Sequence, residues 1–151
     1  MRRHVLLAAS LVLTAFIFAM SLQPGEVSGA MSSPLALALG RILETILPRI
    51  DIDPETLHAL VRKGAHVAEY LALGIAYALT ARAWRIPLWA VVIAGVAVAF
   101  CDESLQGFVP NRGPDPLDAL CFDLPGFLLG ALTTFTVAAG VVKRRSENNV
   151  S

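Results

Sequence analysis

Apolar residues fall in four long runs separated by short polar breaks. The first, 5–22, is close to the roughly 20 residues a spanning helix needs. The second, 71–83, is entered through a polar stretch that begins at Arg62. The third opens at Pro87 and stays apolar to Phe100. Residues 101–106 then change its polarity without a helix breaker, so the helix should continue to about Phe108. The fourth covers 117–142. The pattern predicts spans over about 4–22, 60–83, 86–108 and 117–142, in one domain covering 1–151, with a disordered tail at 143–151. The expected fold class is an all-α membrane protein, a bundle of four transmembrane helices with a short amphipathic helix in the first outer loop.

The breaks carry their own signals. Gln23-Pro24-Gly25-Glu26 ends the first helix, and Ser28, Gly29, Ser32 and Ser33 read as a loop. Residues 35–47 are apolar, with Arg41, Glu44 and Thr45 on one side, and too short to span. They read as a helix lying in the interface or packed on the bundle. Asp53-Pro54-Glu55 is a helix start, with an Asp cap and Pro in the first turn. That helix should run past a solvated His58 and close at Arg82, Trp84 and Arg85, the tryptophan at interface depth. Residues 109–116 form a short, Pro-rich loop, and Gly126 with Gly130 permits close helix packing. The first run, its preceding arginines and Ser28-Gly29-Ala30 also resemble a signal peptide. Its apolar core is long for one, and further runs follow, so a retained span is the preferred reading.

Composition agrees with a membrane protein. The chain is 56% hydrophobic and 16% charged, where a soluble domain carries nearer a quarter charged residues. Mean hydropathy is +0.65. Net charge is zero, which gives no support for nucleic-acid binding. Cys101 and Cys121 are too few for a disulfide framework, and they read as small apolar fillers in preference to a single disulfide. With four spans, both termini share one side with Arg2, Arg3, Arg82, Arg85 and 143–145, and the positive-inside rule makes it cytoplasmic. Arg41, Arg49, Arg62, Lys63 and Arg112 fall on the outer side.

The candidate chemistry centres on Arg62-Lys63-Gly64-Ala65-His66-Val67-Ala68-Glu69-Tyr70. Ionisable groups at membrane depth are expensive and usually face a protein interior or a wet cavity. On a helix, Arg62, His66, Glu69 and Tyr70 share a stripe. Alternating helix direction brings Asp102, Glu103, Gln106, Asp118 and Asp123 to the same outer level, with Arg112 on the loop above them.

These residues carry a resemblance. The chain resembles the VanZ-like family of small bacterial membrane proteins, named for a member linked to teicoplanin resistance. The matching pieces are Ser21-Leu22-Gln23-Pro24-Gly25 with Ser28, then Arg62-Lys63, His66, Glu69-Tyr70 and Leu73-Gly74. Asp102-Glu103, Gln106, Phe108-Val109-Pro110 and Arg112 follow, and last come Asp123, Gly126 and Gly130. One departure stands out. In the family's pattern an Asp precedes the last motif's Asn or Asp by four residues, whereas Asp118 is five before Asp123. The resemblance implies a multi-pass protein of the bacterial cytoplasmic (inner) membrane.

Three uses of the cluster are open. In the first, Arg62, Lys63, Tyr70, Gln106, Arg112 and Asp123 bind a lipid-like or glycolipid ligand, including a lipoglycopeptide, at the outer leaflet. In the second, His66, Glu69, Asp102 and Glu103 are candidate catalytic groups of an intramembrane acid/base enzyme acting on a lipid-linked substrate. In the third, the groups form only a structural polar network. His66 and Glu69, with Asp102, Glu103 and Asp123, also have the spacing of an oxygen-rich metal site, but a complete metal fingerprint is absent. No metal and no cofactor are therefore expected.

Overall fold

A computed structural model describes residues 1–46, 52–110 and 115–148, and those residues contain helices and no strand. Arg49 and Arg112 lie outside the described residues. The helices are α1 (Arg2–Ser21), α2 (Gly25–Ile46), α3 (Pro54–Trp84) and α4 (Leu88–Gln106). A short α5 (Pro116–Asp118) leads through a π-helical turn (Ala119–Asp123) into α6 (Leu124–Asn148). Among the described residues, three stretches are long and apolar enough to cross a membrane, namely Arg2–Ser21, Leu88–Gln106 and Pro116–Gly140. The longest helix, α3, falls short of that measure, because its first half carries Arg62, Lys63, His66 and Glu69.

Local signals explain most helix ends. Asp53 caps α3 by accepting from the Thr56 backbone N–H at 2.9 Å and the Thr56 hydroxyl at 2.6 Å. The Thr56 hydroxyl and then its backbone N–H hold the Asp53 carboxyl below the usual carboxylate range. Arg85 closes α3 in the left-handed region at φ 58°, and Pro87 caps α4.

Two expectations need correction. The serine-rich stretch after Pro24 is the first half of a 22-residue helix rather than a loop. Ser32 and Ser33 each donate their hydroxyl to the Gly29 carbonyl at 2.9 Å, so their polarity is satisfied within the helix. Even Pro34 is accommodated inside it. At the other end, the chain expected to be disordered from Lys143 continues as helix to Asn148. Cys101 and Cys121 are free thiols, as expected, and both lie on exposed faces.

Packing sets helix direction. Ser10 meets Thr80 at 2.9 Å and Thr14 meets Tyr77 at 3.0 Å, so α1 and α3 run antiparallel. At their shared end Arg3 stacks on Trp84, whose indole N–H donates to the Arg3 carbonyl at 3.3 Å. Helix α3 packs most extensively on α6. A Cβ at Gly126 would strike Val67, and one at Gly130 would strike the Leu71 carbonyl, so α3 and α6 run parallel. Near-contact of two backbones through glycine is how helices associate where lipid supplies no hydrophobic drive. The core consists mainly of small residues, with Tyr70 and Phe127 as its largest members, and Phe127 fits against Gly95 of α4. Large apolar side chains such as Leu11, Phe16, Trp89, Ile93 and Leu129 face outward, as a lipid-facing surface requires.

Candidate functional site

These directions carry the end of α1, the middle of α3, the end of α4 and the start of α6 to one level. Ser21, His66, Asp102 and Asp123 meet there. His66 Nδ1 lies 3.2 Å from Asp123 Oδ1. One ligand atom from each of His66, Asp102 and Asp123 lies within 4.8 Å of the other two. Asp102 is 0% exposed and Asp123 1%, and Tyr70 beside them is fully buried. Both oxygens of Asp102, one of Asp123 and the Tyr70 hydroxyl make no hydrogen bond of normal geometry. The neutral hydroxyls of Ser21 and Tyr70 are the side-chain donors nearest Asp102.

Glu103 stands next to this group but is fully employed. Gln106 donates its amide to Oε1 at 3.2 Å, and the Asp115 backbone N–H donates to Oε2 at 2.9 Å. The carboxylate therefore ties the end of α4 to the start of α5, across residues 111–114.

Lys63 turns away from the buried group. It pairs with Asp118 at 2.8 Å and lies 4.5 Å over the Phe122 ring. The π turn explains the unusual spacing of the two aspartates. The Leu124 N–H bonds to the Ala119 carbonyl, five residues back, and a π turn makes residues five apart neighbours as an α turn does four. Asp118 and Asp123 consequently both face α3, the first at Lys63 and the second at His66. The following Pro125 cannot donate to the carbonyl of Cys121, which removes one α-type bond at this place.

A cavity of about 280 Å³ opens beside the cluster between α1, α2 and α3. Its lining combines the polar Ser21, Ser28, Ser32, Arg62, His66 and Glu69 with the apolar Phe16, Met20, Leu35, Val61 and Ala65. A second cavity of about 240 Å³ shares Ser32 and Arg62 with it and reaches His58. Arg62 is exposed on this shared wall and forms no ion pair among the described residues.

Of the residues singled out from sequence, His66, Tyr70, Asp102 and Asp123 converge. Glu103 and Gln106 pair beside them, and Arg62 and Glu69 line the cavity. Lys63 is at the rim, and Arg112 lies outside the described residues. Sequence reading missed three contributors. Ser21 and Ser28 belong to the motif that follows α1, which was the available signal. His58, read as solvated, is half-buried with Nδ1 3.4 Å from the Ser32 hydroxyl. Its partner Ser32 lies in the part of α2 that reads as loop in the sequence.

The fold and the buried polar cluster define an all-helical membrane protein with a polar centre enclosed by apolar helices. The chain belongs to the VanZ/LLP1 family, whose model matches residues 6–138. Comparison with curated proteins and with solved structures returned no match.

Proposed function

We propose that the cavity between α1, α2 and α3 binds a lipid-like ligand with an anionic headgroup, such as a glycolipid or lipoglycopeptide, at the outer leaflet. The observation that carries this reading is the mixed lining of the cavity, in which Arg62 and His66 stand among Phe16, Met20 and Leu35. A headgroup suits Arg62 and His66, and an acyl chain suits Phe16, Met20 and Leu35. Arg62 is exposed there and can form a bidentate contact with phosphate or carboxylate. In this reading α3 is a fourth span, both termini are cytoplasmic, and the protein resides in the bacterial inner membrane. The antiparallel packing of α1 on α3 and the parallel packing of α3 and α6 suit that alternation. Sequestering a lipid-tailed glycopeptide, or changing its access to cell-wall precursors, would contribute to resistance of the teicoplanin type.

The test is native mass spectrometry of the protein released from membranes. An anionic lipid-linked species should accompany the wild type and be lost from His66→Ala. Equal retention by both would sink the reading. Activity of a reporter fused after Ser151 in the periplasm, not the cytoplasm, would overturn the topology.

A second reading rests on the contact of His66 with Asp123. A carboxylate that orients an imidazole is the arrangement of a general base. The protein would then transform a lipid-linked cell-envelope substrate. A turnover assay on membrane lipids distinguishes this from binding alone.

A further inference from the structure

We infer that His66, Asp102 and Asp123 form a site for one divalent transition-metal ion of the zinc type. The first observation is charge. Asp102, Asp123 and Glu103 are all buried, and His66 is the only described basic side chain that contacts any of them. Lys63 is engaged with Asp118, and Arg62 is exposed. Buried carboxylates must be neutralised, and among the described residues the protein supplies one imidazole for three of them.

The second observation is unused bonding capacity. Both oxygens of Asp102 and Oδ2 of Asp123 lack a hydrogen bond of normal geometry, in side chains that are 0% and 1% exposed, and the donors nearest Asp102 are the neutral hydroxyls of Ser21 and Tyr70, which bring no charge. An unsatisfied buried carboxylate is costly. Glu103 lacks this property, because Gln106 and the Asp115 N–H occupy its oxygens. The sequence pattern points to His66 and Glu69 with Asp102, Glu103 and Asp123. Of these the fold gathers His66, Asp102 and Asp123, one each from α3, α4 and the π turn.

The third observation is geometry. The three ligand atoms lie within 4.8 Å of one another. Zinc with bonds of roughly 2.0–2.2 Å draws tetrahedral ligand atoms to about 3.4 Å apart, a contraction that side-chain rotation supplies. One imidazole nitrogen and two carboxylate oxygens suit zinc or manganese, the imidazole favouring the former. Three protein ligands leave a fourth position, as in zinc sites that bind water or substrate. His66 and Ser21 form part of the wall of the 280 Å³ cavity, which offers the entry path. An ion here would give an anionic headgroup a second positive point besides Arg62. The inference does not depend on that ligand, and its test reads the metal alone.

The full chain in detergent is stripped with chelator and titrated with Zn²⁺, with Mg²⁺ as the comparison. About one equivalent of Zn²⁺ should bind and raise the unfolding midpoint. Asp102→Asn and Asp123→Asn, which keep shape but lose the anionic ligand, should each weaken binding at least tenfold, while Asp118→Asn at the rim should not. Co²⁺ added to the wild type should give the intense visible bands of a tetrahedral site, a readout that survives if a variant fails to fold. Binding well below one equivalent, no Co²⁺ bands, or equal Zn²⁺ binding by wild type and both buried variants would each overturn the site.

Discussion

Nδ1 of His66 lies 3.2 Å from Oδ1 of Asp123, a contact between residues 57 positions apart that joins α3 to the π turn. Asp123 is buried, and His66 is the basic side chain that contacts it among the described residues. His66→Leu should destabilise the fold by about 3–5 kcal/mol, the usual cost of leaving one buried charge without its partner. His66→Gln keeps a hydrogen-bond donor and should lose less, yet still lose the lipid-linked ligand. Unfolding midpoints in detergent and ligand retention check the two effects separately. A His66→Leu protein as stable as wild type would show that the contact contributes nothing.

Glu103→Gln should not be silent, although it changes little in size. Both carboxylate oxygens accept hydrogen bonds, one from Gln106 and one from the Asp115 N–H. A glutamine must turn its NH₂ toward one of those donors. The lost acceptor should cost about 1–3 kcal/mol. Amide exchange at Asp115 should accelerate by a corresponding factor, and an unchanged rate would mean that the clamp does not hold in solution.

Gly130→Ala should be among the most damaging single methyl additions in the chain. Its Cβ would strike the Leu71 carbonyl and crowd the Ile75 N–H, which are backbone atoms with no freedom to move aside. Gly74→Ala meets the Phe127 carbonyl in the same way. Overpacking of this kind costs about 1–3 kcal/mol or more. Gly64 faces open space, and there alanine should raise stability by up to about 1 kcal/mol through helix propensity. Thermal unfolding of the three variants gives the comparison. Equal midpoints for Gly64→Ala and Gly130→Ala would refute the close approach of α3 and α6.

Ser10 and Thr80 meet at the end of the bundle remote from the cluster. Thr80→Val should remove an interhelical hydrogen bond whose value in a membrane is about 0.6 kcal/mol and not above about 1.7 kcal/mol. A double-mutant cycle with Ser10→Ala measures it. Ligand retention should stay at the wild-type level, because neither residue approaches the cavity that holds His66. A coupling energy of zero would place the two hydroxyls apart.

The helical class, the membrane character and the family are legible in the chain alone. Long apolar runs, Asp53-Pro54 and the spaced polar motifs are local or periodic signals, and they survive without knowledge of what packs where. It also placed His66, Asp102 and Asp123 at one level, because alternating helix direction follows from run length and loop length. It did not determine which groups pair. Lys63 and His66 lie within one turn of each other on α3, yet one meets Asp118 at the rim and the other Asp123 inside. That division depends on the π turn, which inserts a residue between the two aspartates and is invisible to a 3.6-residue pattern. Glu103 and Asp102 are adjacent in the chain, but only the fold gives the first two donors and leaves the second with none of good geometry. The α2 serines read as loop because hydroxyls usually seek water, and only the folded helix reveals their bonds to Gly29. Partner choice among polar groups is set by distances of a few tenths of an ångström, and only the tertiary arrangement decides those.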